Sequence, residues 1–236
     1  MSTKMIETLN AISSSENYSF WIYGRTKSCL SDKKVLDTGS GIGNIAKHFG
    51  KSNAKEVILS EPSDELLTQL KARFSSLDRH SVVKLDISCP RSIAPLCSKQ
   101  IEVITCFNVL EHIKNDLAAL KNMYKILCGN GTLVLVVPAL PCLFGSLDEL
   151  NGHYRRYAKK SLNEKLKQAG FAIKEEYYMN FLGVLTWFLS GKVLRQKKFS
   201  KNVCVALDKF VPLLAKIEKY CRPCIGQSIV AICVKL

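Results

Sequence analysis

Acidic side chains are scarce in this 236-residue chain: 20 Asp and Glu stand against 34 Lys and Arg, a formal net charge of +14. The deficit is local. Residues 151–236 carry 17 basic and 5 acidic side chains, whereas residues 1–150 carry 17 and 15. A field of that sign attracts phosphates, anionic lipid surfaces or nucleic acid, and it says nothing about fold. Glycine (13) and proline (7) are too few, and hydrophobic residues at 47% too many, for a collagenous or disordered chain. No apolar run approaches the ~20 residues of a spanning helix. The start, MSTKMIETLN, lacks the apolar core of a secretory signal, so the expected compartment is cytoplasmic. Ten cysteines, scattered through apolar segments, are then expected to be reduced and mostly buried. Cys221-Arg-Pro-Cys224 is a lone CxxC with no second ligand pair, and no metal site is expected. With no repeat or low-complexity tract, residues 1–236 read as one domain.

Short β-rich runs alternate with helix-length amphipathic segments, the pattern of an α/β sheet covered by helices on both faces. The strand-like runs are 34–37, 56–60, 81–85, 101–106 and 132–137, several of them almost continuously apolar, as strands buried on both sides are. Leu117, Leu120, Tyr124 and Leu127 recur at helical spacing, with Gly129-Asn130-Gly131 expected to end that helix. A further helix is expected from Ser161 to Gly170, then strands at 171–178 and 228–234. Between those two strands, residues 180–226, rich in Leu, Phe, Trp and Lys, read as a helical insertion.

The first strand runs into Asp37-Thr38-Gly39-Ser40-Gly41-Ile42-Gly43. Alternate glycines between a strand and a helix leave backbone that a ligand can approach without meeting a Cβ. The spacing is not the GxGxxG of dinucleotide folds. Glu61 ends the second strand, placed to accept the hydroxyls of a ribose, and Asp86 ends the third, placed to meet an adenine amine. Three carboxylates at successive strand ends are poor company for a pyrophosphate but suit a nucleoside that carries a cation.

With Glu61-Pro62, Asp86-Ile87 and Phe107-Asn108-Val109-Leu110-Glu111-His112-Ile113, these residues resemble a class I S-adenosylmethionine-dependent methyltransferase. Farther along, Gly152-His153-Tyr154-Arg155-Arg156-Tyr157, Asn180-Phe181-Leu182-Gly183 and Gly226-Gln227-Ser228 resemble a methyltransferase type 11/12-like subgroup found beside glycosyltransferases in surface-polysaccharide pathways. The resemblance implies a Rossmann-like seven-stranded sheet whose last strand is antiparallel. It also implies N-terminal cap helices over residues 1–30, with Tyr18 and Trp21 covering the cofactor. S-adenosyl-L-methionine would be held by Asp37, Gly39, Ser40, Gly41, Gly43, Glu61, Pro62, Asp86, Ile87, Asn108 and Val109. The implied activity is O-methylation of a small-molecule, sugar or lipid-linked acceptor.

Methyl transfer from a sulfonium is an in-line displacement in which the protein supplies alignment, a dry site and, for a hydroxyl acceptor, proton removal. Histidine suits the last task. Of four histidines, His48 and His80 read as surface residues; His112 and His153 are the candidate bases, His153 preferred and His112 more suited to lining the cleft. Tyr154, Arg155, Arg156 and Tyr157 could grip an anionic or cyclic acceptor. In the insertion, the stripes Phe181, Leu185, Phe188, Leu189 and Val205, Phe210, Leu213, Leu214 accompany Lys192, Arg195, Lys197, Lys198 and Lys201. That combination suits peripheral contact with an anionic membrane, although helices packed on a sheet edge carry the same stripes. An RNA methyltransferase using the basic third, a non-catalytic S-adenosylmethionine-binding partner subunit and a nicotinamide oxidoreductase are the rival readings. The first lacks an Asn/Asp-Pro-Pro-aromatic run, and the last is disfavoured by the glycine spacing.

Overall fold

The computed structural model describes residues 13–196, 198 and 201–236. Seven strands form one sheet: β1 (Lys34–Thr38), β2 (Glu56–Glu61), β3 (His80–Lys84), β4 (Ile101–Phe107), β5 (Leu127–Pro138), β6 (Phe171–Met179) and β7 (Ser228–Lys235). Their spatial order is β3-β2-β1-β4-β5-β7-β6, with β1 to β5 parallel and β7 antiparallel to both its neighbours. The last strand is thus the reversed one, as expected.

Alternation along the central strands builds a core on each face of the sheet. Leu36, Ile58, Ile104, Leu133 and Leu135 point to one side; Val35, Val57, Val103, Val134 and Val136 point to the other. The chain reverses its direction of travel across the sheet between β1 and β4, so their carboxyl ends flank a crevice. Register aligns Thr38 of β1 with Ser60 of β2 and Cys106 of β4, which brings the three strand tips level.

The helices are α1 (Glu16–Leu30), α2 (Asp64–Phe74), α3 (Pro90–Ile93), α4 (Asp116–Ile126), α5 (Ser146–Leu150), α6 (Lys159–Gln168), α7 (Phe181–Trp187), α8 (Lys201–Asp208) and α9 (Val211–Tyr220). The cap expected over residues 1–30 corresponds to α1 from Glu16 onward, and residues 1–12 lie outside the described residues. The first turn of α1 is closed by a distant side chain, since Asp208 accepts from Asn17 N and Tyr18 N at 2.9 Å each. In the insertion, Asn180 adopts a left-handed conformation (φ +64°) and accepts from Gly183 N, while Glu218 accepts from Asn180 N and Phe181 N.

Three expectations are corrected. The helix after β4 stops at Ile126, and Gly129-Asn130-Gly131 lies inside β5, where an irregularity against β4 accommodates Asn130 at φ +59°. His48 is no surface residue: it is 2% exposed beneath Phe20 and Tyr23, and burial pushes its pKa down to about 4. Of the ten free thiols, only Cys106 and Cys233 are buried, while Cys97, Cys142, Cys221 and Cys224 are exposed.

Candidate active site

Two adjoining cavities open at the tips of β1, β2 and β4 and share Thr38, Gly39, Gly41, Asn108 and His112. The first, about 350 Å³, is walled by Glu61, Pro62, Asp86, Ile87 and Val109. The second, about 240 Å³, is walled by Tyr18, Asp37, Ser40, Glu111, His153 and Arg156.

Backbone forms the floor between them. A Cβ on Gly41 (φ +58°) would meet nothing within 4 Å and would project into open space, so the bare chain here is a cradle that any side chain would fill. At Gly39 (φ +66°) a Cβ would lie 2.6 Å from Val109 Cγ2. Gly43 belongs to neither cavity; its missing Cβ makes room for Phe74 of α2, so its role is packing beneath the turn.

Asp37 is buried and accepts from Thr105 Oγ1 at 2.6 Å and Ser40 Oγ at 2.7 Å; burial outweighs these bonds and pushes its pKa up to about 6. Glu61 braces the glycine turn, accepting from Gly41 N and Ser63 N at 3.0 Å each, and burial raises its pKa. Each of its oxygens keeps a lone pair for a further donor. Asp86 is exposed at the cavity rim and accepts from Ser88 N and Oγ. Asn108 holds φ +53° through Asn108 N donating to Val136 O. Tyr18 reaches the second cavity, its hydroxyl 3.5 Å from Ser228 Oγ. Trp21 does not line either cavity: it packs in the core, and Ser19 and Ile22 occupy the cavity wall beside Tyr18.

At the far end of the second cavity lies a buried charged cluster. Asp148, fully buried, takes four donors: His153 Nδ1 at 2.9 Å and Arg156 Nε at 3.0 Å on one oxygen, Trp187 Nε1 at 2.9 Å and Gly145 N at 3.1 Å on the other. Burial alone would raise its pKa, but the His153 bond and the Arg156 charge outweigh it and hold the carboxyl below its ordinary value. Glu111 is equally buried, and neither of its oxygens has a hydrogen-bond partner. Its pKa is pushed up to about 7 by burial, against the pull of His153 and Arg156. His153 Nε2 lies 3.9 Å from Glu111, and the His112 ring stands edge-on to His153 with centroids 4.7 Å apart. Burial, with His153 beside it, pushes His112 down to about 4, so it is a neutral wall at physiological pH. Glu111, His112 and His153 bring ligating atoms within 4.8 Å of one another, a spacing that would accept a cation and that the sequence reading did not foresee.

The expected acceptor grip is only partly assembled. Arg156 lines the cavity, donating to Asp148 and Ala139 O, with its guanidinium 4.9 Å from the Trp187 ring. Arg155 turns outward to Asp116 and Lys114 O, Tyr154 is 56% exposed, and Tyr157 is buried with its hydroxyl on Asp116. An anion held by paired arginines is therefore not what this segment builds.

Residues 21–176 match a protein family described as a methyltransferase domain. The chain belongs to that methyltransferase family. A ubiquinone biosynthesis O-methyltransferase of Idiomarina loihiensis is 26% identical over 194 residues, covering 76% of each chain. Among solved structures, a putative methyltransferase of Bacillus halodurans superposes with a TM-score of 0.62 at 17% identity over 90% of this chain and 96% of that one. A putative methyltransferase of Haloferax volcanii, in complex with the Trm112 methyltransferase activator, superposes at 0.67 with 12% identity over 99% and 98%. The protein is a methyltransferase, and the bare floor at Gly41 between carboxylates fits the S-adenosylmethionine expected from its sequence.

Sequence reasoning missed Glu111 as a cavity residue, Asp148 as the hub that orients His153, and Trp187 as its third side-chain donor. Glu111 stood beside His112 in a quoted motif. Trp187 lies 39 residues from Asp148, and no local pattern joins them.

Proposed function

We propose that the protein O-methylates a hydroxyl group of a small-molecule, sugar or lipid-linked acceptor in the second cavity, with His153 taking the proton. One observation carries this reading: His153 Nδ1 is fixed on buried Asp148, which leaves Nε2 for the cavity. The Idiomarina relative, named as an O-methyltransferase, supports oxygen as the accepting atom.

Bound S-adenosylmethionine supplies a methyl group on a sulfonium, open to in-line displacement by a nucleophile. Glu61 would accept the ribose hydroxyls, Asp86 with Ile87 would frame the adenine, and Pro62 and Val109 would close the first cavity. Gly39, Ser40 and Gly41 would carry the methionine part past Asp37, with Asn108 at the boundary and Tyr18 on the wall of the second cavity. As the acceptor oxygen bonds to carbon, its proton passes to His153 Nε2. Asp148 and Glu111 stabilise the imidazolium so formed. Neutral His112 and Trp187 keep water from the space beside it.

Mass-spectrometric screening of hydroxylated acceptors, followed by His153→Gln on the best of them, tests the reading. Expected is a loss in kcat of about 10²–10⁴-fold with the S-adenosylmethionine Kd unchanged. An unchanged kcat, or a methyl group found on nitrogen or carbon, overturns it. A second reading, in which the chain works with a small activator protein, rests on the Haloferax neighbour and its Trm112 partner; an activator that copurifies and raises turnover would support it.

A further inference from the structure

We propose that the insertion α7–α9 seats the protein on an anionic lipid bilayer and that a third cavity beneath it admits the apolar chain of a lipid-linked acceptor. The docking half stands alone; the acceptor half rests on the proposed hydroxyl methylation.

Stripes that ordinarily pack inward face outward here. On α9 and the turn before it, Phe210, Leu213, Ile217 and Tyr220 recur at one helical face and are 44–75% exposed, whereas Leu214 alone of the expected stripe is buried. Leu182, Leu185 and Leu189 form a second outward row at 43–55% exposure. The alternative of helices packed on a sheet edge therefore accounts for a minority of these side chains. Rows of exposed apolar side chains, unlike single scattered ones, mark a site of contact.

Charge selects the occupant. Residues 180–224 contain two acids, Asp208 and Glu218, and both are buried and spent on closing the first turns of α1 and α7. Lys192, Arg195, Lys198, Lys201, Lys209 and Lys216 are exposed among the apolar rows; Lys197 lies outside the described residues. An apolar face whose exposed charges are all cationic complements anionic headgroups over an apolar interior. A second copy would set cations against cations, and nucleic acid would leave the Leu and Phe rows uncovered.

The third cavity, about 310 Å³, opens among Leu182, Val203, Leu207 and Phe210 and shares Tyr18, Trp187 and Gln227 with the cavity that holds His153. An apolar chain leaving a bilayer could run along it with the hydroxyl end leading.

Vesicle cosedimentation tests the docking half without turnover, using phosphatidylcholine alone and phosphatidylcholine with phosphatidylglycerol, at low and high salt. Expected is binding to anionic vesicles at low salt, at least tenfold weaker at high salt or on neutral vesicles. Lys209→Glu should weaken binding more than the roughly fivefold expected for loss of one surface charge. Phe210→Ser with Leu213→Ser should abolish it, with S-adenosylmethionine affinity by calorimetry unchanged as the check on folding. No binding to anionic vesicles at low salt, a dimer that the Phe210→Ser pair dissociates, or tRNA binding that this pair leaves intact would each overturn the docking. If docking holds but acceptors with and without a long apolar chain show equal KM, the acceptor half fails while hydroxyl methylation stands.

Discussion

Glu111→Gln separates the cost of a buried, partnerless carboxylate from everything else in the cleft. An unfolded glutamate loses its proton near 4.5, whereas Glu111 in the folded chain keeps its proton up to about 7. Below the lower value both states are protonated and the residue has no effect. Between the two, the folded chain holds a proton that the unfolded chain has released, so stability falls as pH rises, and the loss is complete above the higher value. Over that interval, at about 1.4 kcal/mol per pH unit, the loss is about 3 kcal/mol. Glutamine keeps the shape and cannot ionise. The difference between variant and wild type should therefore grow in the variant's favour by about 2–3 kcal/mol, or roughly 5–10 °C in Tm for a chain of this size, between pH 5 and pH 8. Urea unfolding of both proteins at the two pH values, with EDTA present so that no cation compensates the charge, measures it. Titrating groups distant from Glu111 cancel in the subtraction. Parallel stability curves, within 1 kcal/mol by the usual error of extrapolation, would show that Glu111 is solvated and would remove the case for a dry transfer site.

Three further outcomes are expected. Gly39→Ala should cost at least tenfold in S-adenosylmethionine affinity by calorimetry, because its Cβ would collide with Val109 Cγ2 at a left-handed φ, and Val109→Ala alongside it should recover part of the loss. Glu61→Gln should raise the Kd by roughly 10–100-fold, the value of charge-assisted bonds to two hydroxyls, with far less effect on a donor analogue lacking the ribose hydroxyls. Turnover should survive EDTA, since the proton goes to His153 Nε2; loss on chelation and recovery with a divalent ion would make Glu111, His112 and His153 a cation site instead.

The sheet was legible because its strands are built from side chains that must be apolar on both faces: the runs at Val35, Val57, Val103 and Val134 fall in β1, β2, β4 and β5. The glycine turn and the acids at Glu61 and Asp86 were legible for a related reason, since strand tips and special backbone angles leave local marks. The charged end of the site left none. Asp148 gathers His153 and Arg156 from one loop and Trp187 from a distant helix, and its hub role exists only after folding. Neighbouring residues such as Arg155 and Arg156 read alike, yet one stays partly exposed while pairing with Asp116 and the other is fully enclosed on Asp148. Periodicity marked the insertion's stripes but could not tell which side of each helix would be wet.

The carboxylate of Asp208 fastens the leading end of α1, which walls the second cavity through Tyr18, Ser19 and Ile22, to the tail of α8, 191 residues away in sequence. Wall and insertion are thereby latched as a single leaf. Any movement of α1 away from that cavity must therefore carry α8 with it or give up both hydrogen bonds at once.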